Sequence, residues 1–167
     1  LAPLNAALFG YRKAFMETIA GDFLHRYYAI ADIKEPVSIR YRSEFFEMDY
    51  LSGALRSMKR DMALGYSTCG IHRDDIELQF HEQPAKKWAS KKKKKTILLA
   101  LRLAQLQYMF RHLGVKPILL LDDIFDKLDR HRSQALIDVL QSEITGQVIV
   151  THTQSELVKE ANCIELN

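Results

Sequence analysis

The sequence Pro-Ile-Leu-Leu-Leu-Asp-Asp at positions 117–123 constrains the fold of this chain more than any other segment. Its apolar run is unbroken, whereas a strand with one solvated face alternates apolar and polar residues. An unbroken run is typical of a buried parallel strand, because helices cover both faces of such a sheet. The run ends in Asp122 and Asp123. Ligands of open α/β sheets bind at the carboxyl ends of the strands, so these carboxylates are candidate site residues.

The residues after this strand continue the same kind of pattern. A polar turn leads to Asp129, and an amphipathic helix is predicted over about 130–140. A second apolar strand, predicted over 147–151, ends at His152. The order of elements predicts an α/β fold with a parallel sheet. The alternative for the acidic pair is a solvated turn after a buried strand.

Composition narrows the class of protein. The 167 residues suffice for one core with a smaller satellite domain, and 47% hydrophobic with 27% charged residues is ordinary for a globular protein. The net charge of +3 is accounted for by the lysines at 91–95. Cys69 and Cys163 lack metal or disulfide spacing, which favours a reducing cytoplasm. No apolar stretch reaches membrane-spanning length and no signal peptide is recognisable, while the missing initiator Met suggests a fragment.

The first part of the chain is predicted to contain a long helix, a short strand and a second helix, whereas strands and helices alternate after it. A domain boundary is therefore predicted near Leu64. The second predicted helix of the first part carries Arg56, Lys59 and Arg60, which either form a solvated face or follow a nucleic-acid backbone. The remaining predictions are helices over 2–31, 49–64 and 96–113, strands over 36–41, 76–80 and 163–166, a loop over 82–87, and a helix stop at Gly114.

Residues 70–75 read Gly-Ile-His-Arg-Asp-Asp and closely resemble the Gly-Pro-His-Arg-Asp-Asp motif of the RecF family of bacterial recombination-mediator ATPases. Further matches resemble the signature region, the Walker B strand and the D-loop of that family, and they lie at Ala89-Ser90, Lys95-Thr96, 100–105, Leu121-Asp122-Asp123 and Leu128-Asp129. The resemblance covers essentially the whole chain, taken as the C-terminal half of RecF. It implies the C-terminal part of a P-loop, ABC/SMC-like ATPase head (65–167) with a mainly helical lid (1–64).

The resemblance also implies roles for single residues in a site that binds ATP and Mg²⁺ between two heads. Ser90 would be the signature serine that touches the γ-phosphate held by the other head. Asp122 would support Mg²⁺, and Asp123 would orient the attacking water. Asp129 would lie at the dimer seam, and His152 would be the switch residue near the γ-phosphate.

Two departures from the family pattern concern Ile71, which replaces the motif proline, and the lysines at 91–94, which replace the Gly-Gln part of the signature. A signature glycine lets backbone N–H groups approach phosphate closely, and Lys92 would crowd that approach. Lysines at a helix N-terminus also oppose its macrodipole. We therefore expect most of the lysine run to be a solvated loop.

The P-loop pattern Gly-x4-Gly-Lys-Ser/Thr does not occur in this sequence. Gly65 and Gly70 have the right separation, but Ile71 and His72 follow where lysine and a hydroxyl residue are needed. Without this cradle for the phosphates, we expect no ATP hydrolysis by this chain alone, and slow hydrolysis by a parent protein that includes a P-loop half.

The resemblance implies a cytoplasmic DNA repair and replication factor that dimerises with ATP, binds gapped DNA at junctions of single and double strands, and loads recombinase with RecO- and RecR-type partners. Two alternatives stay open: another SMC-like ABC ATPase head, or a fragment that binds DNA or protein without nucleotide. His72 and Arg73 either brace their turn through Asp74 or Asp75, or face nucleotide or DNA.

Overall fold

The computed structural model describes residues 2–31, 34–122, 125, 128–141 and 146–151. Asp123, His152 and the strand predicted over 163–166 lie outside the described residues. The helices are α1 (Ala2–Ile30), α2 (Tyr50–Leu64), α3 (Ala85–Trp88), α4 (Lys91–Leu113) and α5 (Arg130–Leu140), and the strands are β1 (Val37–Arg42), β2 (Asp75–Phe80), β3 (Gln83–Pro84), β4 (Leu119–Asp122) and β5 (Val148–Thr151). Short 3-10 helices lie at Glu44–Phe46 and Ile71–Arg73.

The chain divides into two compact units, and the boundaries between them differ from the boundary predicted near Leu64. The first unit comprises 1–21 and 35–89, and the second comprises 22–34 and 90–167. The units differ from the predicted domains because β1, which precedes Leu64, pairs along its whole length with β2, which follows it. The assignment of 1–64 to a lid and 65–167 to a head stays a prediction.

The first unit contains an antiparallel sheet in the order β1-β2-β3. Strand β1 pairs with β2 from Val37 opposite Phe80 to Arg42 opposite Asp75. The loop predicted over 82–87 is wrong, because that segment forms β3 and α3. His81 and Glu82 have φ values of 49° and 60°, which suit the tight two-residue turns that join paired strands. Pro84 is tolerated because β3 lies at the edge of the sheet.

Helix α2 follows the prediction closely. The Asp49 carboxylate accepts hydrogen bonds from the Leu51 N–H at 2.9 Å and the Ser52 N–H at 3.0 Å, so it caps the first turn. Gly65, with a φ of 73°, ends the helix in the left-handed conformation. The buried Gly53 lets the Cys69 thiol pack directly against the helix backbone, where a Cβ atom would clash.

The second unit contains the predicted parallel strand pair. Strand β4 pairs with β5 from Leu119 opposite Val148 to Asp122 opposite Thr151, and α5 connects them as expected. The core of this unit is formed by Ile30, Leu99, Leu103, Leu106, Leu119, Leu121, Phe125, Leu136 and Leu140. The expectation that both sheet faces are covered is not met by the described residues, because the Leu120 side chain is 70% exposed. Within the described part, the helices cover only the face that carries Leu119 and Leu121.

Helix α4 begins at Lys91, five residues before the predicted start at Thr96, so the expected solvated loop at 91–95 is wrong. Lysine is a good helix former, and the Ser90 cap satisfies a free N–H group. These effects outweigh the unfavourable interaction of lysine with the helix dipole. The helix ends at Gly114 as predicted, with a φ of 66°.

The last part of α1 packs on α4 within the second unit. Arg111 Nη1 lies 2.7 Å from Asp22 Oδ2, and Arg26 Nη2 donates to Gln107 Oε1 at 3.1 Å. Ile30 at the end of α1 is fully buried in the core of the unit. None of the helices in the described ranges combines the length and the apolar character needed to cross a bilayer.

Candidate functional site

Asp122 lies where the sequence predicts it, at the carboxyl end of β4. Thr151 stands opposite it in β5, and the Thr151 hydroxyl donates to Asp122 Oδ1 at 2.5 Å. Both residues are exposed at this edge of the sheet. A carboxylate beside a hydroxyl offers oxygen ligands, which Mg²⁺ prefers. No group of three or more His, Cys, Asp or Glu side chains converges among the described residues, so a cation here would need water or phosphate oxygens as further ligands.

Asp129 caps α5 and is held in its charged form. Its Oδ1 accepts from the Arg132 N–H at 3.0 Å, and its Oδ2 lies 3.7 Å from Arg132 Nε. The hydrogen bond from the Arg132 backbone, followed by the charges of Arg132 and Lys92, lowers the pKa of Asp129 below its ordinary value. The Arg132 Nε–H group is buried, and it has no hydrogen-bond partner in the part of the chain that the structure describes.

Ser90 is the N-terminal cap of α4 and is exposed. Its hydroxyl oxygen accepts from the Lys93 N–H at 3.3 Å, and its carbonyl accepts from the Lys94 N–H at 2.9 Å. A hydroxyl can also donate one hydrogen bond, so this position can still bind an anion at the positive end of the helix.

Two of the predicted site regions interact electrostatically within the second unit. The charge of Lys92, in the first turn of α4, lowers the pKa of Asp129 at the start of α5, so the lysine run lies within electrostatic reach of Asp129. Asp122 has Thr151 as its neighbour in the same unit. The other two predicted residues, Asp123 and His152, are not among the described residues.

The Gly-Ile-His-Arg-Asp-Asp turn is braced from within the first unit. Gly70 has a φ of 134°, and the His72 ring occupies the space that a Cβ atom would need. His72 Nε2 lies 3.1 Å from the Ser67 carbonyl oxygen. The Arg73 guanidinium lies over the Tyr66 ring, 5.5 Å from its centroid.

Asp74 makes the strongest contacts of this turn, and its partners were not expected. Its side chain is only 3% exposed, and its Oδ2 lies 3.2 Å from Arg12 Nη1. The Tyr41 hydroxyl donates to the same oxygen, and Arg12 Nη1 also donates to the Ile71 carbonyl at 2.7 Å. Burial, followed by this hydrogen bond, raises the pKa of Tyr41 to about 12. The turn is therefore braced through Arg12 and Tyr41. The predicted hydrogen bonds ran instead from His72 or Arg73 to the carboxylates at positions 74 and 75.

Ile71, which replaces the motif proline, has a contact that proline could not make. Its N–H donates to the Asn5 side-chain oxygen at 3.4 Å, and proline has no N–H group. Together with Arg12, this contact fastens the turn to α1. Sequence reasoning missed Asn5, Arg12 and Tyr41 because no local pattern links them to the motif.

Curated relatives match the chain over most of its length. The "DNA replication and repair protein RecF" of Flavobacterium johnsoniae is 39% identical over 156 residues, which are 93% of this chain and 44% of that protein. The RecF of Bacteroides thetaiotaomicron is 35% identical over 156 residues, which are 93% of this chain and 42% of that protein. The chain thus spans less than half the length of the curated relatives it matches. No protein-family model matches it.

Two solved structures share the fold. They show the recombination mediator protein RecF in the RecFOR pathway, with ATPrS and with ATP, and each gives a TM-score of 0.75 over 93% of this chain and 43% of that chain. Their sequence identities of 23% and 22% support a likeness of fold alone. The predicted fold class, α/β and the C-terminal part of an ABC-type ATPase head, is confirmed. The resemblance indicated by the motifs is confirmed as well, and the chain is RecF-like over nearly all of its length, as a piece that corresponds to less than half of a RecF protein.

Proposed function

We propose that this chain is the C-terminal part of a RecF-type ATPase head that acts in DNA replication and repair. The observation that carries the proposal is the arrangement of the second unit, where the Ser90-capped α4, Asp122 at the end of β4 and the Asp129-capped α5 occur together. The identity of 39% to a RecF protein over 93% of the chain supports it.

In this proposal, ATP binds between two heads. Asp122 and the Thr151 hydroxyl would hold Mg²⁺, which when bound neutralises phosphate charge. Asp123 would orient the attacking water, and His152 would respond to the γ-phosphate. Catalysis of phosphoryl transfer depends mainly on positioning and charge neutralisation, and the exposed Asp122 carboxylate at the end of β4 suits both.

Ser90 would contact the γ-phosphate of the opposite head, and Asp129 would lie at the seam between the heads. The helical start at Lys91 supports this role, because the first backbone N–H groups of α4 add to the lysine charges around Ser90. The lysine run would thus supply by side-chain charge some of the anion binding that the family obtains from glycine backbone. Asp129 offsets part of this positive charge when no nucleotide is bound.

The DNA and protein partners are part of the same proposal. The parent protein would dimerise with ATP in the cytoplasm, bind gapped DNA where single and double strands meet, and load recombinase with RecO- and RecR-type mediators. This choice of partners is supported by the relatives, which are named as DNA replication and repair proteins, and by the solved structures, which are of RecF in the RecFOR pathway. Contacts to phosphates would make DNA binding fall steeply with salt.

Two other functions are compatible with parts of the structure. Another SMC-like head would carry a coiled-coil arm, but α1 has 29 residues and is followed by the short strand β1. A fragment that binds DNA or protein without nucleotide would need no particular geometry around Ser90, Asp122 and Asp129.

The test is ATP-dependent dimerisation of the full-length protein that combines this sequence with a P-loop half. Sedimentation velocity would be measured with and without ATP for wild type, Ser90→Arg and the matched control Ser38→Arg, which changes an exposed serine of the first unit. We expect ATP to produce dimers of wild type and control but not of Ser90→Arg. Dimerisation that is the same with and without ATP, and the same in wild type and Ser90→Arg, would contradict the proposal. It would favour a fragment that binds DNA or protein without nucleotide.

A further inference from the structure

Arg73 is an exposed cation on a turn that several contacts hold in place. Gly70, His72 and Asp74 hold the turn on both sides of Arg73 through the contacts described above. Among the described residues, no carboxylate lies within ion-pair distance of the Arg73 guanidinium, although the buried Asp74 follows it directly in sequence. Asp74 is occupied by Arg12 and Tyr41, so it leaves the charge of Arg73 available to solvent.

Tyr66 provides an exposed aromatic ring beside this cation. The Arg73 guanidinium lies 5.5 Å from the ring centroid, and the Tyr66 residue is still 55% exposed. A ring with this exposure can accept a stacked base, and a guanidinium can bind phosphate oxygens.

Two further basic side chains are carried by α2, the helix to which the loop of Tyr66 is fastened. Asp61 Oδ1 accepts from the Thr68 N–H at 2.9 Å and the Thr68 hydroxyl at 2.5 Å, which fastens the loop of Tyr66 to the end of α2. Lys59 and Arg60, directly before Asp61, are exposed. Asp61 itself is the one acidic residue of α2, and its carboxylate is occupied by Thr68 and by the Ser57 hydroxyl at 3.0 Å.

From this arrangement we propose that Lys59, Arg60, Tyr66 and Arg73 form a contact surface for single-stranded nucleic acid, in which Tyr66 stacks on a base and the three cations bind phosphates. We call these four residues the Arg73 surface. The proposal rests on the proposed function only in that both involve DNA. It concerns the first unit, and it requires neither ATP nor a second head.

The experiment uses chain 1–167 without nucleotide and two fluorescein-labelled probes, a 30-residue oligo(dT) and a 30-base-pair duplex. Binding would be measured by fluorescence anisotropy as a function of salt for wild type, Arg73→Gln, Tyr66→Leu and the control Arg102→Gln. The control removes the same charge from an exposed arginine of the second unit. Circular dichroism would establish that each variant is folded.

We expect Arg73→Gln to weaken binding of both probes and to reduce the salt slope by about 1, as for the loss of one phosphate contact. Tyr66→Leu should weaken oligo(dT) binding by about fivefold or more while duplex binding changes much less, because a paired base is not free to stack. The control should leave both affinities within about twofold of wild type.

Two outcomes would overturn the proposal in distinguishable ways. Equal effects of Arg73→Gln and Arg102→Gln, or no effect of Tyr66→Leu on oligo(dT), would mean that DNA binds elsewhere, and the proposed repair function would stand. No binding of either probe by wild type at low salt would exclude the Arg73 surface. It would not contradict the proposed function, which is tested separately by DNA binding of the full-length, ATP-dependent dimer.

Discussion

Arg12 and Asp74 form an ion pair, 3.2 Å from Nη1 to Oδ2, although they are 62 positions apart in the sequence. The pair joins α1 to the turn that carries the family motif. Its Asp74 side is almost fully buried, whereas the Arg12 side chain is 45% exposed. Asp74 therefore depends on this contact more than Arg12 does, because a buried carboxylate needs a partner and a solvated guanidinium does not.

Asp74→Asn is expected to lower the free energy of unfolding by about 1–3 kcal/mol, because it removes the charge that pairs with Arg12 and leaves buried polar groups poorly matched. Urea denaturation would measure the change. The control is Asp75→Asn, which should cost about 0.5 kcal/mol or less, since Asp75 is exposed and an amide oxygen can still accept from the Ile76 N–H. Equal costs at both positions would contradict the described role of Asp74.

Tyr41 makes the free energy of unfolding depend on pH in the alkaline range. Its pKa is raised from 10.0 to about 12, so its neutral form is favoured in the folded state. A group with a raised folded pKa stabilises the protein below the unfolded pKa, and this contribution is lost as pH rises. The free energy of unfolding of wild type should therefore fall more steeply than that of Tyr41→Phe between pH 10 and pH 12. Parallel curves for the two proteins in urea titrations at each pH would rule this out.

Asp129 is expected to matter as a helix cap. Asp129→Ala should lower the free energy of unfolding by about 1 kcal/mol, while Asp129→Asn retains an acceptor for the Arg132 N–H and should cost less. The lowered pKa of Asp129 means that its charge stabilises the fold above the ordinary carboxyl pKa, and that this contribution is lost as pH falls through the folded value. Acid titration should therefore destabilise wild type more than Asp129→Asn. The same acid dependence in both would contradict this.

Substituting alanine for glycine should change the stability of the protein in opposite directions at Gly70 and Gly10. Gly70→Ala is expected to destabilise by about 1–3 kcal/mol, because its φ of 134° is strained for other residues and the His72 ring fills the space. Gly10 lies within α1, and a Cβ atom added there would meet only open space, so Gly10→Ala should stabilise by about 0.5–1 kcal/mol. Thermal unfolding of both variants would measure these shifts. A neutral Gly70→Ala would mean that the turn is not constrained as described.

Much of the secondary structure follows from sequence patterns with a clear physical basis. The apolar runs predict β4 and β5, the helical segment at 49–64 predicts α2, and Gly114 predicts the end of α4. The start of α4 was missed because five lysines carry no apolar periodicity, so only the Ser90 cap could indicate it. Strand β3 was missed because Pro84 argues against a strand, although an edge strand tolerates it.

The candidate site was predictable only where a local motif marks it. Asp122 and Asp129 each lie at the end of an element, where the sequence pattern places them, whereas Ser90 caps a helix that was predicted to begin only at Thr96. Arg12 and Tyr41 could not be predicted, because their contacts with Asp74 join residues that are 62 and 33 positions apart. Such contacts depend on how whole elements pack, and a single sequence does not encode them locally.

Ser90 is proposed to act on nucleotide bound by the P-loop of a second head. The most direct measurement mixes two full-length variants, Ser90→Arg and one that lacks the P-loop lysine, and records steady-state ATP hydrolysis. Each variant alone should be inactive, as should chain 1–167, which has no P-loop.

The mixture should recover up to about half of wild-type activity, because neither variant dimerises with itself and each mixed dimer has one of its two composite sites intact. No recovery in a mixture that still forms mixed dimers would mean that Ser90 serves its own head, and it would contradict action across the dimer.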